Sequence, residues 1–358
     1  MATRPDAPPP ARRVLMCEAP DKPGLNPFFP IVFLDPAYRA GAQVEAMGLG
    51  LLPPEGDDIH LHWLEWHLHR RGLRHSGLVA DLVYRNLVRL IDHRKRRGGR
   101  VVWTAHNLAP HDFPKPFSKV VFERWKPELL ARIDTVAVMS ASAEPLIRAR
   151  MPGLAGADFR VIPHPHYRDF YRRTGERTSV REMFGVPPQG FLLSSVGLMR
   201  AYKQLPEMVR AFIAAARDDE YLVLAGACPP DLRPELERLA ATHPRVRLQP
   251  ASLSDREFAD LVYDSDLCVM NFSTVLNSGS VIAALSLDTP ALAPAAGALP
   301  DLRAAVGERW VRLFEGPLDA GKLRRHVDAL REQPVGGGPD LSALDPAQIA
   351  RAYLETYG

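Results

Sequence analysis

The chain has 358 residues, of which 46% are hydrophobic and 24% charged; that length exceeds what one core ordinarily supports, and that composition excludes a largely disordered protein. A formal charge of +3 is too small to indicate a nucleic-acid partner. Cys17, Cys228 and Cys268 are far apart and show neither disulfide nor metal spacing, and no run approaches the roughly 18 apolar residues of a spanning helix, so a cytoplasmic protein is expected.

In chain order, residues 1–11 are polar and proline-rich, carry no apolar signal core and are expected to be disordered. RRVLMCEA reads as a first buried strand, followed by the exit loop DKPGLNPFFP. DDIHLHW is a second strand. DLVYRNLVRLIDHRKRRGG has helical spacing at Leu82, Val83, Leu87, Leu90 and Ile91 and closes in basic residues and glycine, the signals of a helix C-terminus. RVVWTAHN, IDTVAVMS and FRVIPH return as strands. The second half repeats the alternation: FLLSSVG, YLVLAGA, VRLQPA, DLCVMNF and TPALAPA are strands, with helices near residues 205–216, 234–242 and 254–263. Strands separated by helices predict parallel sheets covered on both faces.

The expected fold is therefore α/β, with two tandem Rossmann-like doubly wound domains. Residues 12–165 form the first and 166–344 the second. DPAQIARAYLETYG, residues 345–358, reads as a helix capped by Asp345 with Pro346 in its first turn, positioned to pack back on the first domain. Such domains bind ligands beyond the carboxyl ends of their strands, so an interdomain cleft is the expected site.

Two loops after strands carry suitable chemistry. In SVGLMRAYKQL, Gly197 allows close backbone approach, and Arg200 and Lys203 stand just before a helix, an arrangement that suits a phosphate group as well as an ordinary solvated loop. In NFSTVLNSGSVIAALSLDTP, Asn277, Ser278, Gly279 and Ser280 open an apolar helix, which reads either as a second phosphate contact or as a simple N-cap.

With these residues in view, the chain resembles GT-B glycosyltransferases, particularly the bacterial family-4-like enzymes of exopolysaccharide and glycoconjugate assembly. VIPHPHYRDFY looks like their domain-crossing segment, GLMRAYKQ like their diphosphate-binding loop, LNSGSVIAALSLDTPALAP like their donor-binding helix, and VVWTAHNLAPHD like the loop whose histidine faces the donor sugar. The resemblance implies transfer of a hexose from a nucleotide-diphosphate sugar, such as GDP-mannose or a UDP-hexose, to a hydroxyl of a glycan, a lipid-linked saccharide or a glycosylated natural product. No cofactor or bound metal is implied. It places Gly197, Arg200, Lys203, His164, Asn277, Ser278, Gly279 and Ser280 at the donor and His106 beside the reacting sugar.

The sequence departs from that family in two places. Leu198 stands where the family commonly has an arginine, leaving Arg200 to substitute. Val275 and Ala283 stand where retaining members carry two glutamates, so retention does not carry over. An inverting reaction needs a base, for which Asp112, Glu65, His106 and His111 are available, with Asp112 or His106 favoured.

The stretch HLHWLEWHLH, His60 to His69, raises the question of a metal, imidazole being a frequent zinc ligand. Strand alternation separates His60 and His62 from Ile59, Leu61 and Trp63, and the strand end delivers Glu65, Trp66 and His67 outward. Acceptor lining by Asn26, Phe28, Trp63, Trp66 and His111 is the expectation, with no metal. The run Arg94, Lys95, Arg96 and Arg97 reads as a solvated helix end or, more sharply, as a peripheral contact with an anionic membrane face. A nucleotide-sugar epimerase of the same fold and a non-catalytic nucleotide-sugar-binding subunit remain alternatives.

Overall fold

The computed structural model describes residues 11–22, 24, 26–47, 56–69, 76–110, 113, 115–171 and 179–358. The expected disordered N-terminus therefore falls outside the described residues apart from Ala11, and His111 and Asp112 fall outside entirely. The chain divides into two compact units. One runs up to Pro165 and takes in Leu344–Gly358; the other is His166–Ala343.

The first unit contains β1 (Arg12–Met16), α1 (Phe28–Phe33), α2 (Pro36–Arg39), β2 (Ala42–Ala46), β3 (Asp58–Leu61), α3 (Gly77–Lys95), β4 (Val101–Thr104), α4 (Pro116–Leu130), β5 (Thr135–Val138), α5 (Ala143–Arg150) and β6 (Asp158–Val161). Its six strands are all parallel in the order β2-β1-β3-β4-β5-β6, with Leu15 paired to Glu45 on one side and Ile59 on the other. The second unit contains α6 (Val180–Met183), β7 (Phe191–Val196), α7 (Leu205–Ala215), β8 (Glu220–Ala225), α8 (Arg233–Ala241), β9 (Val246–Gln249), α9 (Asp255–Asp264), β10 (Leu267–Val269), α10 (Gly279–Ser286), β11 (Ala291–Pro294), α11 (Leu299–Val306), β12 (Val311–Phe314) and α12 (Ala320–Glu332). Its parallel order is β12-β11-β10-β7-β8-β9.

Each sheet thus reverses strand order once, at β1/β3 and at β7/β10. The carboxyl ends of strands flanking such a reversal diverge and leave room for a ligand. Five internal strands, β3, β4, β5, β10 and β11, are buried along their whole length, which explains the unbroken apolar runs in the sequence.

The stretch expected as an exit loop, residues 21–30, passes at Phe28 into the helix α1. Proline and glycine around it signal a loop, but Phe28, Phe29, Val32 and Phe33 fall at i, i+1, i+4 and i+5 and all four are buried. Against them packs α13 (Pro346–Leu354), whose Ile349, Ala350 and Tyr353 enter the same core together with Tyr357. Asp345 caps α13 by accepting from the Gln348 amide, with Pro346 at the first helical position. Core residues of the first unit are therefore supplied from both sides of the second unit in sequence.

The expected basic patch is only half present. Arg94 is buried, and Lys95 is drawn inward, its Nζ 2.5 Å from Asp134 and 2.9 Å from the Arg132 carbonyl. Only Arg96 and Arg97 of the four face solvent. Lys95 follows the carboxylate because Asp134 opens β5 directly beside the helix end.

Candidate active site

In the second unit the site grows from the loop after β7. Gly197 takes φ +98°, a left-handed conformation costly for any residue with a Cβ, and Gly226 after β8 takes φ +144°. A side chain on Gly226 would run into the Gly197 backbone, so the two loops touch because both are glycine. The Met199 amide donates to the Ala227 carbonyl at 2.8 Å, and Gln204, at φ +44°, turns the chain into α7. The loop after β10 fastens the far side: the Ser273 amide donates to the Tyr202 carbonyl and Asn271 Nδ2 donates to the Gln204 carbonyl, at 2.8 and 3.1 Å.

That frame holds Lys203, 7% exposed, with its ammonium 3.8 Å from where a Gly197 side chain would begin. No carboxylate pairs with it among the described residues. Burial, with the nearby Arg200 charge, pushes its pKa down to about 8. A buried cation without a counter-ion is costly unless an anion arrives. Arg200 itself is exposed at the mouth of the loop.

Ser278 caps α10, its side chain accepting from the Val281 amide at 3.2 Å. That leaves the opening N–H groups of Gly279 and Ser280 outside the helical ladder, where an anion is favoured. Asn277 and Ser278 precede them on a segment held by the Gly297 turn, in which Ala298 donates to the Leu276 carbonyl at 2.8 Å. From Asn271 to Ser286 there is no carboxylate.

In the first unit the loops after β1, β3 and β4 meet. His60 is consumed structurally: its Nδ1 is 2.6 Å from the Tyr357 hydroxyl and its Nε2 2.8 Å from the Thr104 hydroxyl. His62 stacks on it at 4.5 Å and places Nδ1 3.0 Å from His106 Nε2. Trp63 stacks face to face on His106 at 4.3 Å and on Trp66 at 5.4 Å, while Trp66 donates its indole N–H to Glu18 at 3.2 Å. A pocket opens beside this group, lined by His62, Trp63, Glu65, His106, Asn107 and, from α4, Lys126.

Burial lowers the pKa of every histidine here. His60 falls to about 3 and His164 to about 4, and His62 and His106 are pushed well below their ordinary value, with neighbouring histidines adding to the effect for these two. At neutral pH all four rings are uncharged hydrogen-bonding groups.

The structure corrects two expected roles. Phe28 is fully buried, its ring against His106 and His62, so it supports the pocket from below and cannot meet an acceptor; Asn26, though exposed, has its side-chain carbonyl engaged in capping the Phe28 amide at 3.0 Å. His164 lies 5.4 Å from Phe28 and 2.9 Å from the Pro165 carbonyl, near His106 in the first unit. Trp63, Trp66, Glu65 and His106 do come together. Sequence reasoning missed Glu18, Asn107 and Lys126; Glu18 stands after the first strand, where a search of strand ends would have found it.

No family model matches the chain. The GDP-mannose:glycolipid 4-beta-D-mannosyltransferase of Xanthomonas campestris pv. campestris is 29% identical over 304 residues, covering 84% of this chain and 79% of the relative. Among solved structures, Anabaena HepE in complex with UDP-glucose superposes with a TM-score of 0.59 at 16% identity, over 97% of this chain and 95% of that one. An alpha,alpha-trehalose-phosphate synthase (UDP-forming) from Burkholderia vietnamiensis gives a TM-score of 0.62 at 10% identity, over 97% and 94%. With two parallel six-stranded units and this sequence similarity, the chain is a glycosyltransferase of the GT-B fold.

Proposed function

We propose that the chain transfers mannose from GDP-mannose to a hydroxyl of a lipid-linked saccharide. The observation that carries the donor half is Lys203: a buried ammonium with no counter-ion among the described residues, held beside two touching glycine loops, fits a nucleoside diphosphate better than any neutral ligand. The guanine base, the mannose and the glycolipid acceptor are argued from the Xanthomonas campestris relative.

In the reaction the acceptor oxygen forms a bond to the anomeric carbon as the bond from that carbon to the diphosphate oxygen breaks. Negative charge grows on the departing diphosphate, and Lys203, Arg200 and the opening amides of α10 stabilise it more in the transition state than in the bound donor. These groups provide the positive charge, and the proposal requires no metal ion. The absence of a carboxylate from Asn271 to Ser286 favours a single displacement with inversion. A base must then take the hydroxyl proton. His106, held neutral by burial, binds protons too weakly for that role near pH 7 and suits a hydrogen bond to the sugar. Glu65, on the same pocket, is the base put forward, and Trp63, stacked on His106 on one side and Trp66 on the other, holds the imidazole against that pocket.

The test is a panel of GDP-, UDP- and dTDP-sugars, followed by thermal stabilisation and by nucleotide release with and without a lipid-linked saccharide. GDP-mannose should stabilise the wild type but not Lys203→Ala, and release should require acceptor. Stabilisation by no sugar nucleotide at millimolar concentration sinks the proposal; conversion of the donor without acceptor replaces transfer with epimerisation.

A further inference from the structure

Ten large hydrophobic residues are exposed among those described, and four of them gather at one place. Leu78 is 85% exposed, Leu82 47% and Val79 43%, all in the first two turns of α3, and Val120 is 63% exposed in the first turns of α4. The two helix starts adjoin, since a side chain at Gly77 would lie 3.5 Å from Phe117 and Asp81 binds both Arg124 and Trp125. Scattered exposed leucines need no explanation; a cluster on adjacent helix ends does.

Around this apolar tip the charge is mostly positive. Lys115 and Lys119 stand at the start of α4, and Arg85 and Arg89 continue the Leu78–Leu82 face of α3 at helical spacing. Lys115, Lys119 and Arg89 have no ion pair among the described residues. Asp81, the acidic residue on this part of α3, is already engaged by Arg124.

The tip also has a defined place. In a parallel sheet each helix runs back against its strands, so helix starts lie at the carboxyl edge. That is the edge where the loops after β3 and β4 carry His62, Trp63, Glu65 and His106, and α4 itself lends Lys126 to their pocket. Arg96 and Arg97, the exposed remainder of the expected basic patch, follow the end of α3 and lie at the opposite edge.

We propose that the starts of α3 and α4 form a docking surface for an anionic lipid bilayer, which brings a lipid-linked saccharide to the pocket on the same edge. Apolar side chains enter the acyl boundary while the lysines and arginines meet lipid phosphates. The proposal rests on the lipid-linked acceptor assigned above.

The experiment is flotation of the full chain with vesicles of phosphatidylcholine alone or mixed with phosphatidylglycerol. The wild type should float with the mixed vesicles. Leu78→Ser/Val120→Ser and, separately, Lys115→Glu/Lys119→Glu should each lower the floating fraction about tenfold, a size set by the loss of two cations or of the inserting side chains. Arg96→Glu/Arg97→Glu should float like the wild type. A wild type that stays at the bottom, or tip variants that float unchanged, overturns the proposal. Self-association of the wild type that Leu78→Ser/Val120→Ser abolishes also overturns it, with a second copy as the occupant. The vesicles hold no saccharide or sugar nucleotide, so failed flotation with intact donor binding rejects the docking surface alone, and flotation without donor binding rejects the transferase assignment alone.

Discussion

Nδ1 of His62 lies 3.0 Å from Nε2 of His106, and the other nitrogen of His62 is buried with no hydrogen-bond partner among the described residues. A buried N–H without an acceptor is rarer in proteins than an unmet acceptor, so the proton of His62 belongs on Nδ1, where it is donated to His106. His106 must then carry its own proton on Nδ1. Nitrogen-15 spectra should show this tautomer for both rings. His62→Phe removes the donor and should reduce stability by about 1–3 kcal/mol, the cost of a buried polar atom left unmet, while lowering kcat more than it raises KM.

Acid should destabilise the first unit early. His60, His62 and His106 have folded pKa values below the unfolded value of about 6.5, so below that pH the unfolded chain binds the extra protons. Their contribution is complete above about pH 6.5 and falls away as the pH drops toward the folded values, by on the order of 1–2 kcal/mol per histidine at about pH 5. Urea midpoints at these two pH values measure it; equal midpoints would contradict the neutral cluster.

Lys203 should show opposite signs in stability and binding. Lys203→Met removes a buried cation that has no carboxylate partner among the described residues, so the variant without ligand should be more stable than wild type by about 1–3 kcal/mol. Its affinity for a nucleoside diphosphate should fall by about tenfold to a hundredfold, the worth of a charge-assisted bond. In the wild type the free lysine titrates at about 8 and the bound one higher, so affinity should be level below pH 8 and decline above it, with proton uptake on binding. Calorimetry in buffers of different ionisation heat reads that uptake directly.

Tyr357→Phe should cost about 1–3 kcal/mol, because the hydroxyl at 2.6 Å from His60 Nδ1 also receives a bond from Tyr38 at 3.1 Å, and both partners are buried. Denaturant unfolding checks it, and the effect should appear in the transition of the first unit while sugar-nucleotide binding by the second persists.

The alternation of strands and helices was legible because the central strands are buried on both faces and so unbroken in their apolar runs. The loop carrying Gly197, Arg200 and Lys203 stood out as a candidate for a local reason: all three lie within seven residues of the end of β7. Features built across the chain were not. β2 is an edge strand of mixed exposure, AQVEA, with no period to betray it. The helix α1 hides among prolines, since its signal is four buried side chains and not its composition. The histidine cluster looked like a metal question because its answers are remote: His60 meets Tyr357 297 positions away, and His62 meets His106 44 positions away. Imidazoles that satisfy one another and a tyrosine leave no local trace of it.

The return of α13 to the first unit has a bearing on biosynthesis. A ribosome completes the second unit before it has made Ile349, Tyr353 and Tyr357, which close the core around Phe28 and Phe33. The amino-terminal half must therefore wait, partly assembled, for a segment translated after its neighbour has folded. Nascent chains halted before residue 345 should engage chaperones through the uncovered face of α1, and order of synthesis and order of folding should run in opposite directions.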